Sequence, residues 1–268
     1  DTVMNRLLQG DVGSGKTAVA LVAMFIAVKS GKQVAVMAPT EVLATQNYEI
    51  IKKCIPEVKT VFLSGSVTKK EKSEIKKIIA TDQPLIAVGT HALIEPDVNF
   101  SRLSLFVCDE QQRFGVAQRS KVTDKGSGVD VLVMSATPIP RTLSLIFYGD
   151  LDISTILDKP KSRLEILTRL VPENKYDGML NFVKNEISGG RQAYFVCPKI
   201  EGDEEGEVIS VTELYNDLTV RLPGVRFALL HGKMKDAEKT RIMLEFKRGD
   251  YDALVSTTVI EVGVDVPN

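Results

Sequence analysis

Gly10, Gly15, Lys16 and Thr17 stand in the stretch GDVGSGKT, with four residues between the two glycines. This is the spacing of a loop whose backbone N–H groups turn inward on a phosphate. Gly10, Gly13 and Gly15 allow the tight turn, and Ser14 lies inside it. Lys16 supplies a mobile ammonium that reaches β- and γ-phosphates, and Thr17 offers its hydroxyl to Mg²⁺ at the start of the next helix. A Gly-rich turn that binds nothing is the plainer alternative. The apolar residues before it and the helix-compatible run after it argue for the phosphate, because a helix N-terminus attracts an anion.

A second set of candidates lies about ninety positions on. The run LSLFVCDE ends on Asp109 and Glu110. In open α/β sheets ligands bind at the carboxyl ends of the strands. Asp109 there would hold Mg²⁺ and Glu110 would orient and deprotonate an attacking water. The competing reading is an ordinary surface acidic pair at a strand end. Ser135 and Thr137, in MSATPIPRT, place hydroxyls at the same kind of strand end, with Pro138 and Pro140 stiffening the exit.

These residues need a parallel sheet to bring them together. Strands are expected at Met4–Leu8, Gln33–Pro39, Val58–Leu63, Leu85–Thr90, Leu103–Glu110 and Val129–Thr137. Helical patterns lie between them, among them Glu41–Cys54 and a charged one around Thr68–Ala80. Apolar strands without alternation, separated by helices, indicate a sheet covered on both faces. The polar stretch DLDISTILDKPKSR reads as a crossing between domains. A second β/α series follows. Strands are expected at Glu165–Val171, Gln192–Pro198, Val225–Leu230 and Tyr251–Thr258, with helices at Asn174–Ile187, Val211–Arg221 and Asp236–Arg248. EGDEEGE between them reads as an acidic, solvated loop.

Composition removes several function classes. Hydrophobic residues make up 44% of 268, and no apolar run reaches the length of a membrane span. The first residues carry no secretory pattern, so a cytoplasmic protein is expected. Cys54, Cys108 and Cys197 suit neither a disulfide framework nor a zinc site. The net charge of −1 means that any nucleic-acid contact must rest on local groups.

The order QGDVGSGKT, APTEVLATQ, VGTHALI, DEQQRFGVAQR, SATPIPRT, YGDLDIS, FVCPKIE, LLHGKM and VSTTVIEVGVDVPN resembles the RecG family of bacterial ATP-dependent DNA helicases, which are superfamily-2 motors. The likeness spans nearly the whole chain. It implies two RecA-like domains of the P-loop NTPase type, over residues 1–160 and 161–268, the second incomplete at its C-terminus. It implies ATP and Mg²⁺ as cofactors, with Thr17 and Asp109 on the metal and Lys16, Asp109 and Glu110 as the catalytic set. Pro39, Thr40 and Glu41, then Gly89, Thr90 and His91, and in the second domain Thr257 and Thr258, are implied as DNA contacts. Gly263 and Asp265 are implied to touch nucleotide, and Gln112, Ser135, Thr137 and Arg141 to couple nucleotide state to DNA. The substrate implied is branched DNA, at stalled forks and four-way junctions, in a bacterial nucleoid-associated protein. Two other readings remain at this point: a nucleotide-binding module without motor activity, and a double-stranded DNA translocase of the transcription-repair coupling type.

Two departures from the family pattern stand out. Gln112 occupies the position of a histidine after DEQ, and an amide cannot become cationic. The arginine-rich motif that would follow VDVPN, the domain that grips branched DNA and the segment that would touch adenine are not in this sequence. A transition-state arginine contributes roughly 10³–10⁵ in rate, so slow turnover by these residues alone is the expectation.

Overall fold

The computed structural model describes residues 3–109, 128–136, 152–158, 166–197 and 211–257. The chain divides into two compact units, Asp1–Leu164 and Glu165–Asn268. Both are α/β, and every strand pairing among the described residues is parallel.

The first unit runs β1 (Asn5–Gly10), α1 (Lys16–Lys29), β2 (Gln33–Met37), α2 (Glu41–Cys54), β3 (Thr60–Leu63), α3 (Lys69–Ile79) and β4 (Leu85–Gly89). A short 3-10 turn (His91–Ile94), β5 (Leu103–Cys108), β6 (Asp130–Ser135) and β7 (Asp152–Ile156) follow. The sheet has seven strands in the order β3-β4-β2-β5-β6-β1-β7. β2 and β4 are buried at every position, which is why their sequences do not alternate. Strand side chains point alternately to the two faces. Leu8, Val36 and Val107 pack with Ala20, Met24 and Val28 of α1 and Ile51 of α2. Leu7, Ala35 and Phe106 belong to the opposite cluster, with Ile79 of α3 and Leu93. Each fully buried Leu, Ile or Phe in these clusters contributes about 1.5–3 kcal/mol.

Capping residues define the helix starts. Thr40 caps α2 by accepting from Leu43 N at 3.4 Å. Thr68 and Glu71 form a reciprocal capping box at α3. α3 buries only Ile79, as its thin apolar stripe predicts; Lys69, Lys70 and Lys77 are exposed, and Lys76 pairs with Glu95 and Asp97.

The second unit runs α4 (Tyr176–Ser188), β8 (Ala193–Cys197), α5 (Val211–Arg221), β9 (Phe227–Leu230), α6 (Asp236–Lys247) and β10 (Ala253–Thr257). Its sheet order is β8-β10-β9. The two units share a device at the base of a strand. Gln33, fully buried at the first position of β2, donates from Nε2 to the carbonyls of Ile79, Thr81 and Gln83 and accepts from Arg102 N. Gln192, before β8, donates likewise to Phe246 O and Tyr251 O. Each follows a Gly-basic pair, Gly31-Lys32 and Gly190-Arg191.

Two expectations are corrected. Asp152–Ile156, read as part of a crossing between domains, is strand β7 at the sheet edge. Its polar residues suit an edge, and Arg6 of β1 holds it through Ser154 Oγ at 2.7 Å and Asp152 Oδ2 at 3.1 Å. Conversely, the described part of Glu165–Val171, read as a strand, has no strand structure. Leu170 there is 99% exposed. An apolar alternation becomes a strand only where a neighbour completes its hydrogen bonds.

Candidate nucleotide site and nucleic-acid edge

The chain leaves β1 at Gly10 and turns into α1 through Gly13 (φ 78°) and Gly15 (φ 99°), a left-handed region that side chains with a Cβ resist. Gly10 is required for a different reason. A Cβ there would sit 2.4 Å from Ser14 Oγ and 3.2 Å from Ile156 Cβ. Lys16 Nζ donates to Gly10 O at 2.7 Å and Asp11 O at 2.9 Å, so the ammonium lies folded over the turn. α1 has neither a side-chain cap nor an acid in its first turn, unlike α2 and α3. Its first N–H groups therefore suit an anion. Ser14 Oγ is buried with no hydrogen-bond partner, which costs about 1–3 kcal/mol until an acceptor or water arrives.

Asp109 follows β5, and its backbone N–H donates to Met37 O at 3.0 Å. In the strand order β5 and β1 flank β6, so Asp109 lies two strand spacings, about 10 Å, from the line of β1. β1 sends the chain across one face of the sheet through α1, whereas α3, between β3 and β4, covers the other. Such reversals open a crevice at the carboxyl ends of strands. Asp109 follows Val107 in alternation and so faces α2, where Asn47 Nδ2 donates to its Oδ2 at 3.2 Å. Asn47 was not anticipated from sequence. Its signal was an amide in a helix interior, where asparagine is a poor helix former. Ser135 ends β6 between the two and is fully buried.

The metal question turns on this donor set. Mg²⁺ takes one or two protein oxygens beside substrate phosphates and water. The exposed Thr17 hydroxyl at the start of α1 and the Asp109 carboxylate fit that chemistry. Among the described residues no cluster of three or more His, Cys, Asp or Glu side chains could hold a metal alone.

The other expected contacts lie at the carboxyl edge of β2 and β4. Pro39, Thr40 and Thr90 are half-buried there, and His91 is exposed. Thr40 Oγ1 accepts from its own helix, which leaves the hydroxyl proton to donate outward. Thr90 N donates to Leu63 O at 3.2 Å and Ala38 N to Gly89 O at 2.9 Å, which ties the end of β4 to β3 on one side and to β2 on the other. A Cβ on Gly89 would lie 1.9 Å from Leu63 O. The Glu41 carboxylate accepts from the Ser66 hydroxyl, Ser66 meets Ser64 at 3.0 Å, and Lys72 Nζ holds Gly65 O at 3.0 Å. Glu41 thus holds a serine loop in place, and an anion here repels phosphate. In the second unit Thr257 ends β10 and is 4% exposed. Glu110, Gln112, Thr137, Arg141, Thr258, Gly263 and Asp265 lie outside the described residues.

A glycine turn over a parallel sheet with an acid two strands away is common to many nucleotide-binding proteins, so comparison must decide among them. The DEAD/DEAH box helicase family matches residues 2–146, more than half of the chain. The chain belongs to the DEAD/DEAH box helicase family. The helicase conserved C-terminal domain matches residues 174–268. Within this helicase family the chain is 48% identical over 269 residues to the ATP-dependent DNA helicase RecG of Streptococcus pneumoniae. It is 47% identical over 267 residues to the RecG of Thermotoga maritima. These alignments cover 100% and 98% of the chain, which spans only 40% and 34% of the respective relatives. A solved structure of RecG bound to a three-way DNA junction matches with a TM-score of 0.80 and 45% identity. That match covers 99% of this chain and 35% of the other. Among the described residues no helix is long and apolar enough to cross a membrane.

Proposed function

We propose that this chain is the motor core of an ATP-driven DNA helicase that works on branched DNA in recombination and repair. The observation that carries the reading is the β1–α1 turn. Its buried Ser14 hydroxyl lacks a partner, its helix start is uncapped, and its lysine rests on loop carbonyls. Triphosphate oxygens satisfy all three. Lys16 then exchanges Gly10 O and Asp11 O for phosphate oxygens, and Thr17 and Asp109 would hold Mg²⁺. When bound, the ion neutralises charge that builds on the transferred phosphoryl group. Glu110 orients and deprotonates the attacking water. Pro39, Thr40, Thr90 and His91 in the first unit, and separately Thr257 and Thr258 in the second, make sugar and phosphate contacts to DNA that do not read sequence. Ser135, Thr137 and Arg141, with Gln112 in place of histidine, relay nucleotide state to that edge.

The branched substrate is supported by RecG, solved on a three-way junction. The test is ATP hydrolysis by the chain with and without a synthetic fork, together with separation of the fork's strands. Slow hydrolysis that the fork stimulates, with separation of its strands, is expected. Hydrolysis indifferent to DNA would reduce the chain to a nucleotide-binding module, and stimulation with strands left annealed would make it a translocase. Lys16→Ala should lose nucleotide binding and keep its thermal unfolding midpoint. Unchanged turnover in that variant refutes the phosphate turn.

A further inference from the structure

β7 ends against the phosphate turn, and the reading above gives this strand no part. Among the described residues β7 pairs with β1 alone, and its last residue, Ile156, is the register partner of Gly10. Arg6 anchors the start of the pairing through Asp152 and Ser154. Asp152, Ser154 and Ile156 alternate onto one face of the sheet. It is the α1 face, since Ile156 packs against the cluster that holds Leu8, Ala20 and Met24. Leu157, the next residue, is 86% exposed, so the strand's packing ends with Ile156.

Ile156 and Ser14 meet over Gly10. A Cβ at Gly10 would touch both, with Ile156 Cβ at 3.2 Å and Ser14 Oγ closer still. Ser14 Oγ is buried and has no partner, although the turn around it is bonded. Ser14 N donates to Asp11 O at 3.1 Å, and Lys16 Nζ rests on Gly10 O and Asp11 O. A buried hydroxyl stays unpaired only where water is kept out and no neighbour can bond to it. Ile156 meets both conditions on its side, because its branched side chain fills the space and carries no polar atom. A hydroxyl held dry gains a whole hydrogen bond from an arriving phosphate oxygen. One already bonded to water would first give that bond up.

We propose that Ile156 is a positioning residue for the nucleotide: it keeps water and polar neighbours from Ser14 Oγ, so that this hydroxyl stays unpaired for a phosphate oxygen. The proposal rests on the phosphate-turn reading above and gives β7 a part in it. The test compares Ile156→Val with Ile156→Thr, two side chains of one shape that differ by a hydroxyl. Both suit a strand, so both should fold. Ile156→Ala, which opens room for a water, is the third variant. Equilibrium binding of a fluorescent, non-hydrolysable ATP analogue with Mg²⁺ is measured for the wild type and each variant, alone and combined with Ser14→Ala. Thermal unfolding of each accompanies it.

Ile156→Val should bind the analogue as tightly as the wild type. Ile156→Thr and Ile156→Ala should each bind it about tenfold more weakly, because Ser14 then has a partner to lose. With Ser14→Ala in place all four should bind alike, since the hydroxyl that Ile156 guards is gone. Equal binding by Ile156→Val and Ile156→Thr with Ser14 present overturns the proposal and leaves the phosphate turn standing. A loss in Ile156→Thr that persists without the Ser14 hydroxyl makes Ile156 a packing residue and overturns it too. A wild type that does not bind the analogue overturns the phosphate-turn reading as well.

Discussion

Gly89→Ala puts a methyl group 1.9 Å from Leu63 O, 2.9 Å from Leu63 C and 3.2 Å from Leu93 Cγ. Carbon–oxygen contacts between adjacent strands settle near 3.3 Å, so the β3 and β4 backbones must part by about 1.4 Å. Neither can do so freely. Leu63 and Gly89 are register partners, and Leu63 O also accepts from Thr90 N at 3.2 Å. Leu63 is fully buried in the main cluster. Strain from overpacking costs about 1–3 kcal/mol and the lost hydrogen bond about 1 more. The expected loss is about 2–4 kcal/mol, a fall of roughly 8 °C in the unfolding midpoint for a domain of this size. Circular dichroism on heating reads it. Gly65→Ala is the control, since a Cβ at position 65 meets nothing within 4 Å and should leave the midpoint in place. If Gly89→Ala melts within a degree or two of the wild type, the close approach of β3 to the end of β4 is wrong. The proposed placement of Thr90 and His91 on DNA would lose its support with it.

Other outcomes follow from single contacts. Gln33→Leu removes the amide that satisfies the Ile79, Thr81 and Gln83 carbonyls and the Arg102 N–H, and urea unfolding should show a loss of about 3 kcal/mol. A loss under 1 kcal/mol would mean that water replaces the amide. Asn47→Ala removes the amide that donates to the Asp109 carboxylate, so a Mg²⁺ titration of ATP hydrolysis should shift about tenfold to higher Mg²⁺; an unmoved titration removes Asn47 from the site. Hydrogen bonds from Arg226 hold the Asp252 carboxyl below the usual carboxylate range. Its stabilisation is therefore full above the unfolded value near pH 4 and fades as pH falls through the lower folded value. Asp252→Asn should be less stable than wild type at neutral pH, and the gap should narrow in acid; a gap constant with pH refutes the pairing.

Much of the site was legible because its signals are local. The glycine spacing at Gly10, Gly13 and Gly15 encodes a turn that few other residues can make, and the positive φ at Gly13 and Gly15 is that turn. α2 runs from Glu41 to Cys54 as its pattern predicts, because its cap and apolar stripe are set by residues within one or two turns. Partners across the sheet were not legible. Asn47 meets Asp109 across 62 positions, and nothing near either residue encodes the meeting.

By itself the sequence determined the alternation of strands and helices, the parallel character of the sheet and the residues at strand ends, since periodicity, burial and turn chemistry act over short spans. Only the tertiary structure decided the strand order that brings Gly10, Ser135 and Asp109 to one edge. It also decided that polar Asp152–Ile156 forms a strand while Ile166–Val171 does not, and that Ser256 of β10 pairs with Leu230 of β9. Each depends on which distant backbone supplies the missing hydrogen bonds, and that choice belongs to the whole sheet.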